Sequence, residues 1–222
     1  MESTINGQQT TSNYNRLNIC APRKTLTMKK FLILTLLLSA SYASLAQRPE
    51  FGFDIGFNLS QGKYKPDQGL DQRIIGGFDG GIFVKFDCGK KFEFQPELNY
   101  VVTGVELNDR VTETESSIKL QYLSIAAIGK WKVTDRFRIL AGPAHSILLS
   151  AWVDPSGGGL STEAKGAFKF TDLIVTGGVE YLLGKKVSLA ARYNHGMEQI
   201  VEDGLGFTMK NRYLSLKIAC LL

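Results

Sequence analysis

From residue 50 onward the chain alternates hydrophobic and polar positions with a period of two. Over residues 76–86, Phe78, Gly80, Ile82, Val84 and Phe86 share one face, and Gly77, Asp79, Gly81, Phe83 and Lys85 the other. After a turn-like Cys88-Gly89-Lys90-Lys91, residues Phe92, Phe94, Leu98, Tyr100 and Val102 alternate with Glu93, Gln95, Glu97, Asn99 and Thr103. Two alternating runs joined by a short Gly-containing turn predict a β-hairpin. Each run is about as long as the 9–11 residues that a tilted strand needs to cross a bilayer.

The same unit recurs. Further strands are expected over residues 51–59, 119–131, 136–152, 168–181, 187–194 and 210–222. Long polar connections fall at 60–73, 105–116, 154–165 and 196–208, and short turns at 88–91, 133–135 and 184–186. Eight strands whose connections alternate long and short predict an all-β fold: an eight-stranded antiparallel up-and-down transmembrane β-barrel, with short periplasmic turns and longer external loops. Pro143 predicts a bulge or kink in the fifth strand, because proline donates nothing to a ladder.

Periodicity alone does not say whether the apolar face meets lipid or lines a core, and a soluble lipocalin-like barrel is the alternative. Three features favour lipid. Aromatics fall near the expected strand ends: Phe92, Trp131 and Tyr181 on the periplasmic side, and Tyr122, Trp152, Tyr193 and Tyr213 on the outer side, as two interfacial girdles require. The polar face mixes glycine with charges of both signs, which suits a narrow lumen. The last strand is apolar to Leu222.

Under this parity Asp54, Asp79, Lys85, Glu93, Glu97, Lys130, Asp172, Glu180, Arg192 and Lys217 point inward, with Lys85 and Glu93 near-opposite across their turn. An eight-stranded interior is just wide enough for side chains to fill. Inward charges must also be paired. The expectation is therefore a charge-compensated plug, with an ion path as the alternative.

Charge and the N-terminal segment refine this picture. The formal charge is +5, from 26 basic and 21 acidic side chains. Five of those bases and one acid lie in the first 46 residues, leaving the remainder near neutral, so no basic face for nucleic acid is implied. Met28-Lys29-Lys30, the apolar run over 31–40 and the small residues Ser44 and Ala46 read as a signal peptide over 28–46, cleaved after Ala46. Residues 1–27 are unpatterned and read as an extension ahead of the true start at Met28, which leaves 47–222 as the barrel domain. Cys88 and Cys220 would sit on strands separated by another strand, too far apart for a disulfide, and are expected to be free thiols.

Candidate chemistry is sparse. His145, Ser146 and Asp154 invite comparison with a Ser-His-Asp hydrolase, but neighbours on a strand face opposite ways. His195 has no nearby serine, and no metal-ligand cluster or phosphate loop is visible. No catalytic residue, cofactor or metal is expected. The charged loops remain as candidates for binding, since scaffold loops tend to carry it.

Several segments together resemble the PorT-like family of small Gram-negative outer-membrane barrels. They are residues 76–86, Phe92-Glu93-Phe94-Gln95-Pro96-Glu97-Leu98-Asn99-Tyr100 with Gly104, Tyr122-Leu123, Ala141-Gly142-Pro143, Gly177-Gly178-Val179-Glu180-Tyr181, Arg192-Tyr193-Asn194-His195-Gly196 and the closing strand. The chain departs from that pattern at Ser124-Ile125-Ala126, where family members often carry an acidic residue and a proline, and in ending on Leu222 rather than an aromatic. The resemblance implies an integral outer-membrane protein that is not an enzyme, with a structural, surface-interaction or export-associated role. Narrow solute passage and lipid modification are the alternatives. The partners implied are outer-membrane lipid and lipopolysaccharide, the barrel-assembly machinery, and secretion or surface proteins reached through the external loops.

Overall fold

The computed structural model describes residues 49–61, 63–65, 70–109, 114–155, 160–202 and 208–222. The expected signal peptide and the preceding extension lie outside these residues. Eight antiparallel strands form the barrel: β1 (Glu50–Ser60), β2 (Ile75–Asp87), β3 (Phe92–Asp109), β4 (Thr114–Lys132), β5 (Phe137–Pro155), β6 (Thr171–Leu182), β7 (Val187–Gly196) and β8 (Arg212–Leu221). Each pairs with its neighbours in sequence. The first and last strands also pair, from Gly52 opposite Leu221 to Ser60 opposite Tyr213, so the sheet closes and has no open edge in the wall.

The turns explain the hairpins. At Cys88–Lys91, Gly89 takes a φ of 88°, a left-handed conformation that a side chain resists, and Cys88 N–H donates to the Phe92 carbonyl at 2.8 Å. Between β4 and β5 the Thr134 hydroxyl accepts from the backbone N–H of Phe137 at 3.0 Å. Between β6 and β7, Leu183 N–H donates to the Val187 carbonyl at 3.0 Å.

The wall is uneven in height. β1, β7 and β8 have 11, 10 and 10 residues, enough to span a bilayer, whereas β3, β4 and β5 have 18, 19 and 19. The segment read as a loop over 105–116 is therefore mostly strand: Val105–Asp109 and Thr114–Ser116 continue the β3–β4 ladder without a register break. Leu70–Arg73 pairs with the top of β3, and Thr162–Glu163 with Trp152 and Val153 of β5. A three-stranded tongue thus rises past the spanning part on one side.

Pro143 causes no register shift. The β4–β5 ladder merely omits the pairs facing Ala127 and Ile128 and resumes in the same register. Pro143 still faces Val175 of β6, so the missing donor costs only the hydrogen bond toward β4. The actual bulge lies higher, at Gln121/Tyr122 opposite Leu149. Two strand starts also move: β6 begins at Thr171, and residues 208–210 leave the barrel to pair with Lys63–Lys65.

Cys88 and Cys220 are free thiols. Cys88 is exposed in a turn at the end of the barrel that holds the short connections. In intact cells a membrane-impermeant maleimide should leave it unlabelled, with full labelling once the outer membrane is permeabilised. Equal labelling in both conditions would invert the orientation.

Candidate functional site

Alternation sends most apolar residues of the spanning strands outward and, in the lower half of the barrel, mostly polar ones inward. Phe51, Phe53, Ile55, Phe57, Leu59, Leu214, Leu216 and Ile218 are exposed on the outside of β1 and β8. Inside, the lower half of the barrel holds a continuous set of paired charges. Glu97 of β3 is the centre. Its two carboxylate oxygens accept from Arg192 Nη1 at 2.7 Å and Nη2 at 2.9 Å, a bidentate fork across the barrel from β7. Gln95 and Asn99, two residues to either side on the same face, donate to the same carboxylate at 2.8 and 3.0 Å.

Above Glu97, Lys217 Nζ lies 2.9 Å from a carboxylate oxygen of each of Asp54 and Asp79, and donates to Asn99 Oδ1 at 3.2 Å. Below it, Lys130 meets Glu180 at 2.8 Å, and Glu180 also accepts from Ser188 at 2.6 Å. Glu93 is shared by Arg138 at 2.8 Å and Lys132 at 3.1 Å. Lys85 does not pair with Glu93: the residue facing Glu93 across the turn is Asp87, and Lys85 pairs with Glu50 of β1. The register places Lys85 two positions higher on β2 than Asp87, beside β1. Arg138 was not among the sequence candidates, although it lies on the same parity of β5 as Leu140 and Ala144; the expected break at Pro143 obscured that parity.

The upper half of the interior differs from the expectation of a polar lumen. Along β3 the inward residues change from Glu93, Gln95, Glu97 and Asn99 to Val101, Thr103 and Val105, and along β4 from Lys130 through Ile128, Ala126 and Ser124 to Tyr122, Leu120 and Ile118. The apolar ones among these pack with Leu148, Ala151 and Ile174, and are capped by Phe168, Ile200, Val201 and Met209 from the returning connections. The cap is held by backbone: Phe168 bridges Val201, Lys169 N–H donates to the Ile200 carbonyl at 2.7 Å, and Ile200 N–H to Met209 at 2.9 Å. Between the two halves remains a cavity of about 20 Å³, bordered by Glu97, Asn99, Ser124, Arg192 and Asn194. That is room for one water molecule.

Tyr122 and Tyr213, expected in the outer girdle, point into this upper interior and are buried. Leu123 and Leu214 beside them face outward, and a period of two then sends the tyrosines inward. The Tyr122 hydroxyl accepts from Asn211 Nδ2 at 3.2 Å, and Asn211 also donates to the buried Asp172 at 2.9 Å. Tyr122→Phe should therefore lower folding stability by about 1 kcal/mol, the net worth of one hydrogen bond. The shift of the urea unfolding midpoint measures it; no shift would mean that the hydroxyl faces lipid after all.

The model of the outer membrane protein beta-barrel domain matches residues 41–202. The chain belongs to that family. It is an integral protein of the outer membrane, and the exposed apolar band is its lipid face. No curated protein matches the chain. Among solved structures, Neisserial surface protein A is 16% identical over 79% of this chain and 100% of its own, with a TM-score of 0.56. Ail, the attachment invasion locus protein of Yersinia pestis, crystallised with the heparin analogue sucrose octasulfate, is 16% identical over 79% of this chain and 100% of its own, at a TM-score of 0.47. OprG of Pseudomonas aeruginosa is 9% identical over 79% and 97%, at 0.45. The first of these likenesses supports the barrel fold.

On the lipid face of this outer-membrane barrel, Phe92, Trp131, Tyr181, Trp152 and Tyr193 are exposed, and the rings of Phe92 and Trp131 stack with centroids 6.3 Å apart. The residues weighed for hydrolase chemistry do not converge. His145 is exposed on the outside of β5, whereas Ser146 is buried inside and donates to Ser124 at 3.0 Å. Asp154 stands on the tongue above the span, where Lys119 donates to it at 2.8 Å and holds its carboxyl below the usual carboxylate range. His195 lies on β7 beside Tyr193, 6.2 Å between ring centroids.

Proposed function

We propose that this member of the family is a PorT-like, non-enzymatic barrel that acts through its extracellular tongue and loops, in surface interaction or protein export, rather than by passing solutes. The observation that carries the reading is the filled interior: paired charges below, an apolar cap above, and about 20 Å³ between them. A solute would have to separate a bidentate Arg192–Glu97 pair and unseat Phe168 and Ile200. The tall β3–β5 wall, by contrast, presents ordered backbone to the exterior, where binding residues are commonly displayed. Lipopolysaccharide surrounds that region, and a secretion or surface protein is the partner class proposed for it.

Two measurements test the reading on the full chain. In planar bilayers the refolded barrel should give no resolvable conductance steps; steady, ion-selective steps would overturn the proposal in favour of narrow passage. On intact cells, a photo-crosslinker placed at the exposed Leu160 should join the barrel to a discrete envelope or surface protein. Crosslinks confined to lipid would remove the surface-interaction role.

A further inference from the structure

The ladder between β2 and β3 omits two pairs without a change of register. Pairing runs from Asp79 opposite Val101 to Phe83 opposite Glu97, then resumes at Phe86 opposite Phe94. The skipped stretch contains Pro96, which has no N–H to donate. Over this gap, on the lipid side, opens a groove of about 400 Å³ lined by Phe51, Ile82, Val84, Pro96, Leu98 and Leu222. Gly52 borders it from β1, with its missing side chain on the lumen side, where a β-carbon would strike the ring of the buried Phe83. The sequence feature that marks the groove is the proline that breaks the ladder.

Its position indicates what fills it. It lies in the periplasmic half of the lipid face, directly above the turn between β2 and β3, which carries the exposed pair Lys90 and Lys91. Pro96 lies five positions beyond Lys91, about 17 Å along a strand and about 13 Å along the membrane normal at the usual tilt of about 40°. That is close to the hydrocarbon depth of one leaflet, about half of ~30 Å. The other periplasmic turns add Arg136, Lys185 and Lys186, all exposed, and with Lys90 and Lys91 these outnumber the exposed acids Glu50 and Asp135, so the rim attracts anions.

We propose that this groove and the Lys90–Lys91 pair form a binding site for an anionic phospholipid of the inner leaflet, one acyl chain in the groove and the phosphate at the two ammonium groups. The apolar slot selects a hydrocarbon chain, and the paired lysines select a headgroup with net negative charge over one whose own amine cancels the phosphate. The site is independent of the surface role and of the filled lumen.

The test uses the purified barrel in mild detergent, titrated with phosphatidylglycerol or phosphatidylcholine, with bound lipid counted by native mass spectrometry. A gel run unheated and boiled shows that each variant is folded. The wild type should retain one phosphatidylglycerol at concentrations where phosphatidylcholine is lost. K90Q/K91Q should weaken phosphatidylglycerol binding about 30-fold, on the usual worth of two juxtamembrane lysines, and leave phosphatidylcholine unchanged. Ile82→Trp, a larger side chain on the already exposed groove wall, should weaken both lipids. Equal retention of the two lipids by the wild type would overturn the proposal, as would unchanged binding in both folded variants. Preferential capture of lipopolysaccharide, an outer-leaflet lipid, would overturn it too.

Discussion

Replacing Lys217 with methionine should lower folding stability by about 3–5 kcal/mol, the usual cost of removing one partner from a buried ion pair. Lys217 is 1% exposed, and its ammonium is the cation between Asp54 and Asp79, 2.9 Å from each. Methionine keeps the length of the chain but leaves two carboxylates facing each other in the interior. The barrel must then protonate one of them or admit water, and either route is costly. Urea unfolding in detergent micelles, followed through Trp131 and Trp152, reads the loss. Asp54→Asn and Asp79→Asn added to Lys217→Met should recover more than half of it, because removing every charge from a buried site is often close to neutral. A single Lys217→Met variant within about 1 kcal/mol of wild type would show that water reaches this part of the lumen.

Two adjacent glycines should give opposite results. Gly178 faces inward opposite Arg192, and a β-carbon there would collide with the Ala191 carbonyl oxygen and sit 2.9 Å from the Arg192 Cα. These are backbone atoms that cannot swing aside, so Gly178→Val should cost about 3 kcal/mol, the upper range for overpacking, and should loosen the strand that carries the Arg192–Glu97 fork. Gly177 faces outward and has nothing within 4 Å of where a β-carbon would lie. Gly177→Ala should stay within about 0.5 kcal/mol of wild type or gain slightly from a stiffer unfolded chain. The comparison of the two unfolding midpoints checks both, and equal effects would contradict the close approach of β6 and β7 at this level.

The cysteine-labelling and Tyr122→Phe experiments probe orientation and parity at smaller energetic cost. Together with the glycine pair they separate three properties of the same wall: which end faces the periplasm, which residues face the lumen, and where strands approach too closely for a side chain.

Strand number, antiparallel order and the direction of the lipid face were legible in the chain because each follows from a local rule. A period of two over about ten residues sets the faces, and Cys88-Gly89-Lys90-Lys91, residues 133–135 and Gly184-Lys185-Lys186 set the tight turns. The inward placement of Asp54, Glu97, Arg192 and Lys217 follows from the same parity. Three things were decided only by the closed tertiary structure. Pairing partners depend on register around the whole barrel, which is why Glu97 meets Arg192 from the far wall and Lys85 meets Glu50 rather than Glu93. The tongue formed by β3–β5 continues through residues that are polar and unpatterned, since a strand paired on both sides needs no apolar face once it has left the membrane. The capped upper interior depends on Phe168, Ile200, Val201 and Met209, whose burial comes from connections folding back into the barrel mouth. No periodicity within a connection can announce that, because its apolar residues acquire a common face only when the walls of the barrel bring them together.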